Sequence, residues 1–256
     1  MATASAQFRQ ILGIQFFVGN VEEAIDRIRS GGLLVVPAAP ALKNLEHDQA
    51  YREALQCADL VITDSAFMVL IWNQLKRDSI RRVSGLKYLS SLLKQPDFYK
   101  PGGSFWIMAS EESALRNCAW LQRQGISLAA EDIYVAPLYG KTIHDPELLR
   151  RIDELHPRHI VVTIGGGTQE RLGLYLRSRL NCKPSIHCIG AAIAFLSGDQ
   201  VQIPRWADHL YLGWLFRCLS NPLRYTPRYW DARKLLALMI RYGSSLPGEL
   251  ATAEHD

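Results

Sequence analysis

The segment HIVVTIGGGTQE, residues 159–170, passes from an apolar run through three consecutive glycines into polar residues that can begin a helix. The β-branched residues of the run are typical of a buried strand, and the residues that follow predict a helix over 168–180. Parallel strands need a crossover connection, which is usually a helix, so a strand that turns into a helix indicates a parallel sheet. This segment therefore predicts an α/β fold.

The same alternation of strand-like and helix-like segments extends over residues 10 to about 198. Asn20 with Glu23 three residues later predicts a capped helix start, and Gly31-Gly32 predicts where that helix ends. The predicted strands are 11–18, 33–36, 58–64, 105–108, 133–135, 159–164 and 185–189. The further predicted helices are about 48–57, 66–76, 84–94, 110–124, 168–180 and 191–197, and another begins at Asp145. This order predicts a mainly parallel, Rossmann-like sheet with helices on both faces.

The C-terminal part of the chain has a different composition. Residues 201–243 contain seven Lys or Arg against two acidic residues, and three of the six tryptophans. We predict an α/β core over 1–199, a basic, aromatic-rich appendage over 200–243 with helices at about 206–219 and 222–241, and a flexible tail over 244–256. Such a segment suits nucleic acid, an anionic membrane surface or a phosphorylated substrate, and its charge alone does not choose among them.

Composition excludes several classes of protein. The chain of 256 residues has no run of the ~20 apolar residues that spans a bilayer and no signal peptide, so we expect a cytoplasmic protein. Its five cysteines form no CxxC pair, and its seven histidines show no HxH or HxxxH spacing. The sequence therefore predicts neither a disulfide framework nor a metal site.

Asp64 is the first candidate for chemistry, because ligands of parallel sheets bind beyond the carboxyl ends of the strands. It follows a predicted strand and precedes an apolar helix. A carboxylate at this place can act as a general base, and it is also a common helix N-cap, so both interpretations stay open. Arg82 is a weaker candidate, either as a phosphate ligand or as part of a solvated basic pair with Arg81.

The turn Gly165-Gly166-Gly167 is the second candidate. Glycines let backbone N–H groups approach an anion closely, and the following helix N-terminus adds positive potential. Gln169 and Glu170 lie on the first turn of that helix, where their side chains can reach a ligand held at the glycines. Neither the GxGxxG nor the P-loop pattern is present, which disfavours a nicotinamide-dependent oxidoreductase. A tight turn without a ligand remains the alternative.

Taken in order, several segments between residues 11 and 229 resemble motifs of the WecG/TagA/CpsF family of glycosyltransferases. No single segment is specific; their order and spacing carry the resemblance. The segments are Ala58-Asp-Leu-Val-Ile-Thr-Asp64, Arg82-Val-Ser-Gly85, Ile164-Gly-Gly-Gly-Thr-Gln-Glu170, Gly190–Gly198, Pro204-Arg-Trp206, Leu212-Gly-Trp-Leu-Phe-Arg217 and Asn221-Pro-Leu-Arg224.

The resemblance implies inverting transfer of a sugar from a nucleotide-sugar donor, usually UDP-linked, to a polyprenyl-diphosphate-linked saccharide in surface polysaccharide biosynthesis. It implies no metal ion and no cofactor, and a peripheral position on the inner face of the plasma membrane, where the appendage meets anionic lipid. A homo-oligomer is compatible with it, and nucleic acid has no part in it. The residues implied are Asp64 as general base, Gly165, Gly166, Gly167, Gln169, Glu170 and Arg82 for the donor, and Arg205, Arg217 and Arg224 for the acceptor and diphosphate.

Several positions depart from the family pattern: Ser65 and Met108-Ala109 stand where the family has glycine, and five further positions replace polar residues. Pro37 and Ala39 replace polar residues after a strand, Lys87 and Ala194 replace acids, and Gly213 replaces a glutamate. Removing polar groups from a buried site can change specificity by orders of magnitude. We therefore expect either a donor other than the usual N-acetyl sugar or weakened catalysis. The alternative is a non-catalytic or regulatory relative that binds the nucleotide-sugar in the same pathway.

Overall fold

Eight strands form one sheet in the computed structural model, which describes residues 7–198, 219, 222–231 and 233–247. The strands are β1 (Phe8–Ile11), β2 (Ile14–Phe17), β3 (Gly32–Val35), β4 (Leu60–Ile62), β5 (Ser104–Met108), β6 (Ile133–Val135), β7 (His159–Val162) and β8 (Ser185–Cys188). Their spatial order is β1-β2-β4-β3-β8-β7-β5-β6, and every neighbouring pair except β1–β2 is parallel. The predicted mainly parallel sheet is confirmed.

Helices cover both faces of this sheet, as predicted. Alternate residues of β3 divide between two buried clusters: Leu33 and Val35 pack with one, and Leu34 packs with the other. The first cluster includes residues from α2 (Ala39–Leu42), α3 (Gln49–Gln56), α4 (Ala66–Lys76), α7 (Pro146–Leu155), α8 (Thr168–Arg179) and α11 (Arg233–Tyr242). The second includes residues from α1 (Val21–Ile28), α5 (Gly85–Leu92), α6 (Glu111–Arg123) and α9 (Ala192–Ser197). Two short 3-10 helices, Pro96–Tyr99 and Ala130–Asp132, lie between elements.

The predicted signals at both ends of α1 are confirmed. Glu23 N–H donates to the side chain of Asn20 at 2.9 Å, and the Glu23 carboxylate accepts from Asn20 N–H at 3.2 Å. After the helix, Gly31 has a φ of 101°, and a Cβ there would lie 2.3 Å from the carbonyl oxygen of Lys183. Only glycine fits this turn, so the chain stops the helix and enters β3.

The prediction of one strand over 11–18 is wrong, because β1 and β2 form an antiparallel hairpin. Leu12 and Gly13 at its turn both have positive φ, 51° and 73°, which is the backbone of a two-residue hairpin turn. The two N–H groups of this turn donate to the carbonyls of Gly243 and Ser244, each at 2.9 Å. The turn is thus fixed by chain that lies more than two hundred residues away, which no local pattern shows.

The described residues from 233 onward pack on the core. The helices α10 (Pro222–Asp231) and α11 cover the second predicted appendage helix, while most of the first, and the boundary at 199/200, lie outside the described residues. Leu235, Leu238, Met239 and Tyr242 of α11 are buried in the core. Gly243 and Ser244 accept hydrogen bonds from the β1–β2 turn and Leu246 is buried, so the first residues of the predicted flexible tail are held against the core. No helix in the described ranges is long and apolar enough to cross a membrane.

Candidate active site

The strand order brings the two candidate segments to the same edge of the sheet. β4, β3, β8 and β7 are consecutive neighbours and parallel, so the residues that follow them emerge at one edge. Asp64 follows β4, Pro37 follows β3, Gly190 follows β8 and Gly165 follows β7. Three strand spacings of about 4.8 Å separate the β4 end from the β7 end, or roughly 14 Å.

Asp64 is held by two partners from one loop. Its Oδ1 accepts from Gly85 N–H at 2.9 Å and from Arg82 Nη2 at 3.1 Å, and Arg82 Nε donates to the Asp64 carbonyl at 2.6 Å. The N-cap of α4 is Ser65, whose Oγ accepts from Met68 N–H at 3.2 Å. The interpretation of Asp64 as the cap of this helix is therefore wrong. No hydrogen bond from the described residues ends on its Oδ2.

The loop that carries Arg82 is fixed to the end of β4. Thr63 Oγ1 donates to the Arg81 carbonyl at 2.9 Å, and Val83 N–H donates to the Thr63 carbonyl at 3.2 Å. Gly85 begins α5, and a Cβ there would lie 2.9 Å from Val36 Cγ1, so glycine permits this approach. The N-terminus of α5 consequently points a backbone N–H at the Asp64 carboxylate.

The glycine turn presents bare backbone. A Cβ added at Gly165 or Gly167 would meet no described atom within 4 Å, and one at Gly166 would meet only Ala41 Cβ at 3.8 Å. Gly167, with a φ of 91°, stands at the N-cap of α8. Backbone N–H groups at the start of a helix are suited to bind an anion, and the space where side chains of this turn would lie is open.

Gln169 and Glu170 point inward from this turn. They are 2% and 0% exposed, and Gln169 Nε2 donates to Glu170 Oε1 at 3.1 Å. Glu170 Oε2 accepts from Gly167 N–H, and Gln169 Oε1 accepts from Gly190 N–H, both at 2.6 Å. The pair therefore connects the turn after β7 to the end of β8. Their predicted contact with a ligand stays a prediction, and the observed contacts brace the turn.

Burial raises the pKa of Glu170 to about 7, although the hydrogen bonds from Gln169 and the backbone favour its charged form. The carboxyl group beneath the glycine turn therefore titrates near neutral pH.

Three residues of this edge were not assigned a role from the sequence. Arg171 donates to the Gly167 carbonyl at 3.0 Å and to the Lys141 carbonyl at 2.7 Å, and so joins the turn to the loop before α7. Gly85 and Gly190 hold Asp64 and Gln169 by backbone N–H groups. The signal for Gly190 was available, because a glycine directly after a predicted strand is typical of a turn with positive φ, here 58°. Arg171 has no such signal.

The appendage residues are placed only in part. Arg205 and Arg217 lie outside the described residues, and Arg224 lies on α10. Of the positions that depart from the family pattern, Gly213 also lies outside; Pro37, Ala39 and Ala194 are buried, and Lys87 is exposed on α5. The edge next to Asp64 is therefore apolar where β3 ends.

No group of three or more His, Cys, Asp or Glu in the described ranges could hold a metal ion. The expectation of a metal-independent reaction stays a prediction.

Comparison with known proteins gives the family of this chain. The model of the glycosyl transferase WecG/TagA/CpsF family matches residues 9–247. A Staphylococcus aureus protein named N-acetylglucosaminyldiphosphoundecaprenol N-acetyl-beta-D-mannosaminyltransferase is 22% identical over 220 residues, which cover 82% of this chain and 84% of that protein. A protein of the same name from Bacillus spizizenii is 23% identical over 229 residues, 87% of this chain and 82% of that protein. Because the family match extends over most of its length, this chain belongs to the WecG/TagA/CpsF glycosyltransferase family.

Proposed function

We propose that this protein transfers a sugar, with inversion at the anomeric carbon, from a UDP-linked donor to a saccharide carried on a polyprenyl diphosphate. The observation that carries the proposal is the placement of an oriented carboxylate, Asp64, and an open glycine turn at one edge of the sheet. The span of roughly 14 Å between them suits an extended nucleotide-sugar, with its diphosphate at the turn and its sugar toward Asp64. The relatives named above act on a diphosphoundecaprenol acceptor, which supports this class of acceptor.

Asp64 acts as the general base in this proposal. The acceptor hydroxyl gives its proton to the carboxylate as the oxygen forms a bond to the anomeric carbon. Arg82 and Gly85 N–H both bind Oδ1, which leaves Oδ2 to take the proton. Arg82, assigned to the donor by the resemblance, thus also positions the base.

The leaving diphosphate departs on the opposite side of the anomeric carbon and keeps the electrons of the broken bond. Backbone N–H groups of the glycine turn at the start of α8 stabilise its charge, as positioned donors do for a developing anion. Gly167 N–H already donates to Glu170 and Gln169 N–H to the Gly165 carbonyl, so the donors assigned to the diphosphate are those of Gly165, Gly166 and Thr168. Arg205, Arg217 and Arg224 complete the neutralisation from the appendage, so the reaction needs no metal ion.

The acceptor is bound to lipid, so the enzyme works at the membrane surface. Arginines and aromatic rings of the appendage bind anionic headgroups, each basic residue contributing about 1 kcal/mol near such a surface. This places the protein peripherally on the inner face of the plasma membrane. Self-association is compatible with this proposal, and the site does not require it.

The apolar residues after β3 limit which donor fits. Pro37 and Ala39 are buried at the edge between Asp64 and the glycine turn and offer no side-chain hydrogen bond. A donor whose recognition depends on polar groups at this place would lose affinity. We therefore expect the preferred sugar to differ from the N-acetylmannosamine of the relatives' names.

A donor screen tests the proposal. A series of UDP-sugars is offered with polyprenyl-diphosphate-linked N-acetylglucosamine, and release of UDP is measured with and without chelator. We expect release with at least one donor, equal with chelator, and an inverted product by NMR. Asp64→Asn, which keeps an acceptor for Gly85 N–H, is the matched control and should release little UDP.

The non-catalytic alternative predicts a different result. A protein that binds UDP-sugars but releases UDP from none of them, with every acceptor tried, would replace the enzymatic proposal with that alternative.

A further inference from the structure

A cavity lies at the amino-terminal edge of the sheet, opposite the candidate active site. Its volume is about 270 Å³, and its wall combines the starts of β7 and β8 with the C-terminal ends of α1 and α5 and the helix Pro96–Tyr99. The polar residues that line it are Arg29, Gln95, Asp97, Lys100, Arg158, His159, Ser185 and His187. Since the strands are parallel, this cavity is separated from the candidate active site by the length of the sheet.

A chain of three buried side chains ends at this cavity. Tyr88 Oη lies 2.8 Å from His187 Nδ1, and His187 Nε2 lies 3.1 Å from His159 Nδ1. The remaining ring nitrogen, His159 Nε2, has no hydrogen-bond partner in the described part of the molecule. It is buried, and the residue is 6% exposed. A buried polar atom without a partner is costly, so this nitrogen calls for a ligand or a water molecule.

The hydrogen bonds from Tyr88 through His187 determine which tautomer of His159 faces the cavity. Burial lowers the pKa of His159 to about 4 and that of His187 well below its usual value, so both rings are neutral at neutral pH. If Tyr88 donates to His187, then His187 donates to His159, and the proton of His159 lies on Nε2. The Asp97 carboxylate, 3.9 Å from Nε2, favours this arrangement, because the opposite one would turn a lone pair toward an anion. His159 therefore offers an N–H donor to the cavity.

The charged side chains that line the cavity favour a negatively charged ligand that accepts hydrogen bonds. Asp97, the one carboxylate among the residues that line it, is paired with Lys100 at 2.7 Å, and Arg29 is paired with Asp26 at 2.7 Å. Arg158 donates to the neutral Arg29 carbonyl at 2.6 Å and forms no ion pair among the described residues, although it is near enough to Asp97 to help lower the pKa of that carboxyl. The side chains that line the cavity therefore carry a net positive charge.

The helix ends do not reverse this preference. The carbonyls of Ile28 and Leu92 at the ends of α1 and α5 already accept from Ser185 Oγ at 2.6 Å and from Gln95 N–H at 2.9 Å. The groups left to bind a ligand are therefore the His159 N–H and the Arg158 side chain, since Arg29 and Lys100 already form ion pairs.

We propose that this cavity is a binding site for a small oxyanion of the phosphate class, held by His159 Nε2–H and by Arg158. The volume is sufficient for a phosphate or a small phosphomonoester. The proposal does not depend on the transferase reaction, because none of these residues belongs to the candidate active site.

Inorganic phosphate is the probe, and proton–nitrogen correlation spectra of the histidine rings of the full-length protein are the readout. We expect phosphate to shift the ring signals of His159 and His187 and to leave those of the exposed His156 unchanged. Calorimetric titration with phosphate gives the affinity independently of the spectra, and His159→Gln assigns the signal where that variant folds.

Two variants of half-buried or exposed residues should change the affinity in opposite directions. Arg158→Gln should weaken phosphate binding about tenfold, as loss of a charge-assisted hydrogen bond does, and Asp97→Asn should strengthen it by removing a like charge. Arg150→Gln, which removes an exposed arginine paired on α7, is the matched control and should have no effect.

Three results would overturn the proposal. Unshifted His159 signals at saturating phosphate would mean that water alone fills the cavity. Equal affinity in Arg158→Gln and the parent protein would place the phosphate elsewhere. Loss of binding in Gly166→Val would assign the phosphate to the glycine turn.

Discussion

Replacement of Glu170 by Gln tests how the glycine turn is supported. The carboxyl group is fully buried, and its pKa is raised from 4.5 to about 7. A raised native pKa contributes stability that is fully present below pH 4.5 and is lost as the pH rises through about 7. At about 1.4 kcal/mol per pKa unit, the loss is about 3 kcal/mol, and no correction for solvent is needed because the group is buried.

Glu170→Gln removes this loss and keeps an oxygen that can accept from Gly167 N–H. We therefore expect the stability of the variant relative to the parent to rise by about 3 kcal/mol between about pH 4 and about pH 8. Urea unfolding at both pH values measures the difference. The comparison must be between variant and parent, because His159 and His187 have lowered pKa values and make both proteins more stable as the pH rises through the same range.

Glu53→Gln, on the exposed side of α3, is the control and should show no such change with pH. A Glu170→Gln variant whose stability relative to the parent is the same at both pH values would refute the reasoning. That result would mean that Glu170 is already charged at the lower pH, with the bonds from Gln169 and Gly167 outweighing the cost of burial.

The other predictions concern the proposed reaction and its membrane surface. Asp64→Asn should lower turnover by about 10²- to 10⁴-fold in the UDP-release assay, with an unchanged thermal transition; near-normal turnover would remove Asp64 from the mechanism. Gly166→Val should weaken UDP binding in a thermal-shift titration without unfolding the protein, since its Cβ meets only Ala41 at 3.8 Å; undiminished affinity would leave the turn without a ligand. Gln169→Ala should cost about 1–3 kcal/mol in urea unfolding, because Gly190 N–H loses its buried acceptor; a cost near zero would contradict the bracing role. Arg217→Gln combined with Arg224→Gln should weaken sedimentation with anionic vesicles about 30-fold at low salt, at about 1 kcal/mol per residue; binding unaffected by the substitutions and by salt would exclude this surface.

Point variants suit the last of these tests, because a truncated protein would lose part of its core. Removing the chain after residue 199 would also remove α11, whose Leu235, Leu238 and Met239 are buried in the core. The truncated protein would expose that part of the core, and its loss of activity would say nothing about the membrane.

Local sequence determined most of the elements of this fold. The capping pair Asn20 and Glu23, the stop at Gly31 and the start at Asp145 each act within one helical turn, so the interaction and its signal lie in the same few residues. The open backbone of the turn after β7 is also determined locally, because three consecutive glycines have no side chains to cover it.

Tertiary structure alone decided how these elements meet. Strand order places β3 and β8 between β4 and β7, and the parallel direction of these four strands brings Asp64 and the glycine turn to the same edge of the sheet. Tertiary contacts also give the two carboxyl groups different surroundings. Asp64 accepts from Gly85 N–H on a helix that begins 21 residues later, whereas Glu170 points inward and is buried. The Leu12-Gly13 turn depends on carbonyls more than 230 residues away. These pairings depend on which faces of the whole chain bury each other, and no local window of the sequence contains that information.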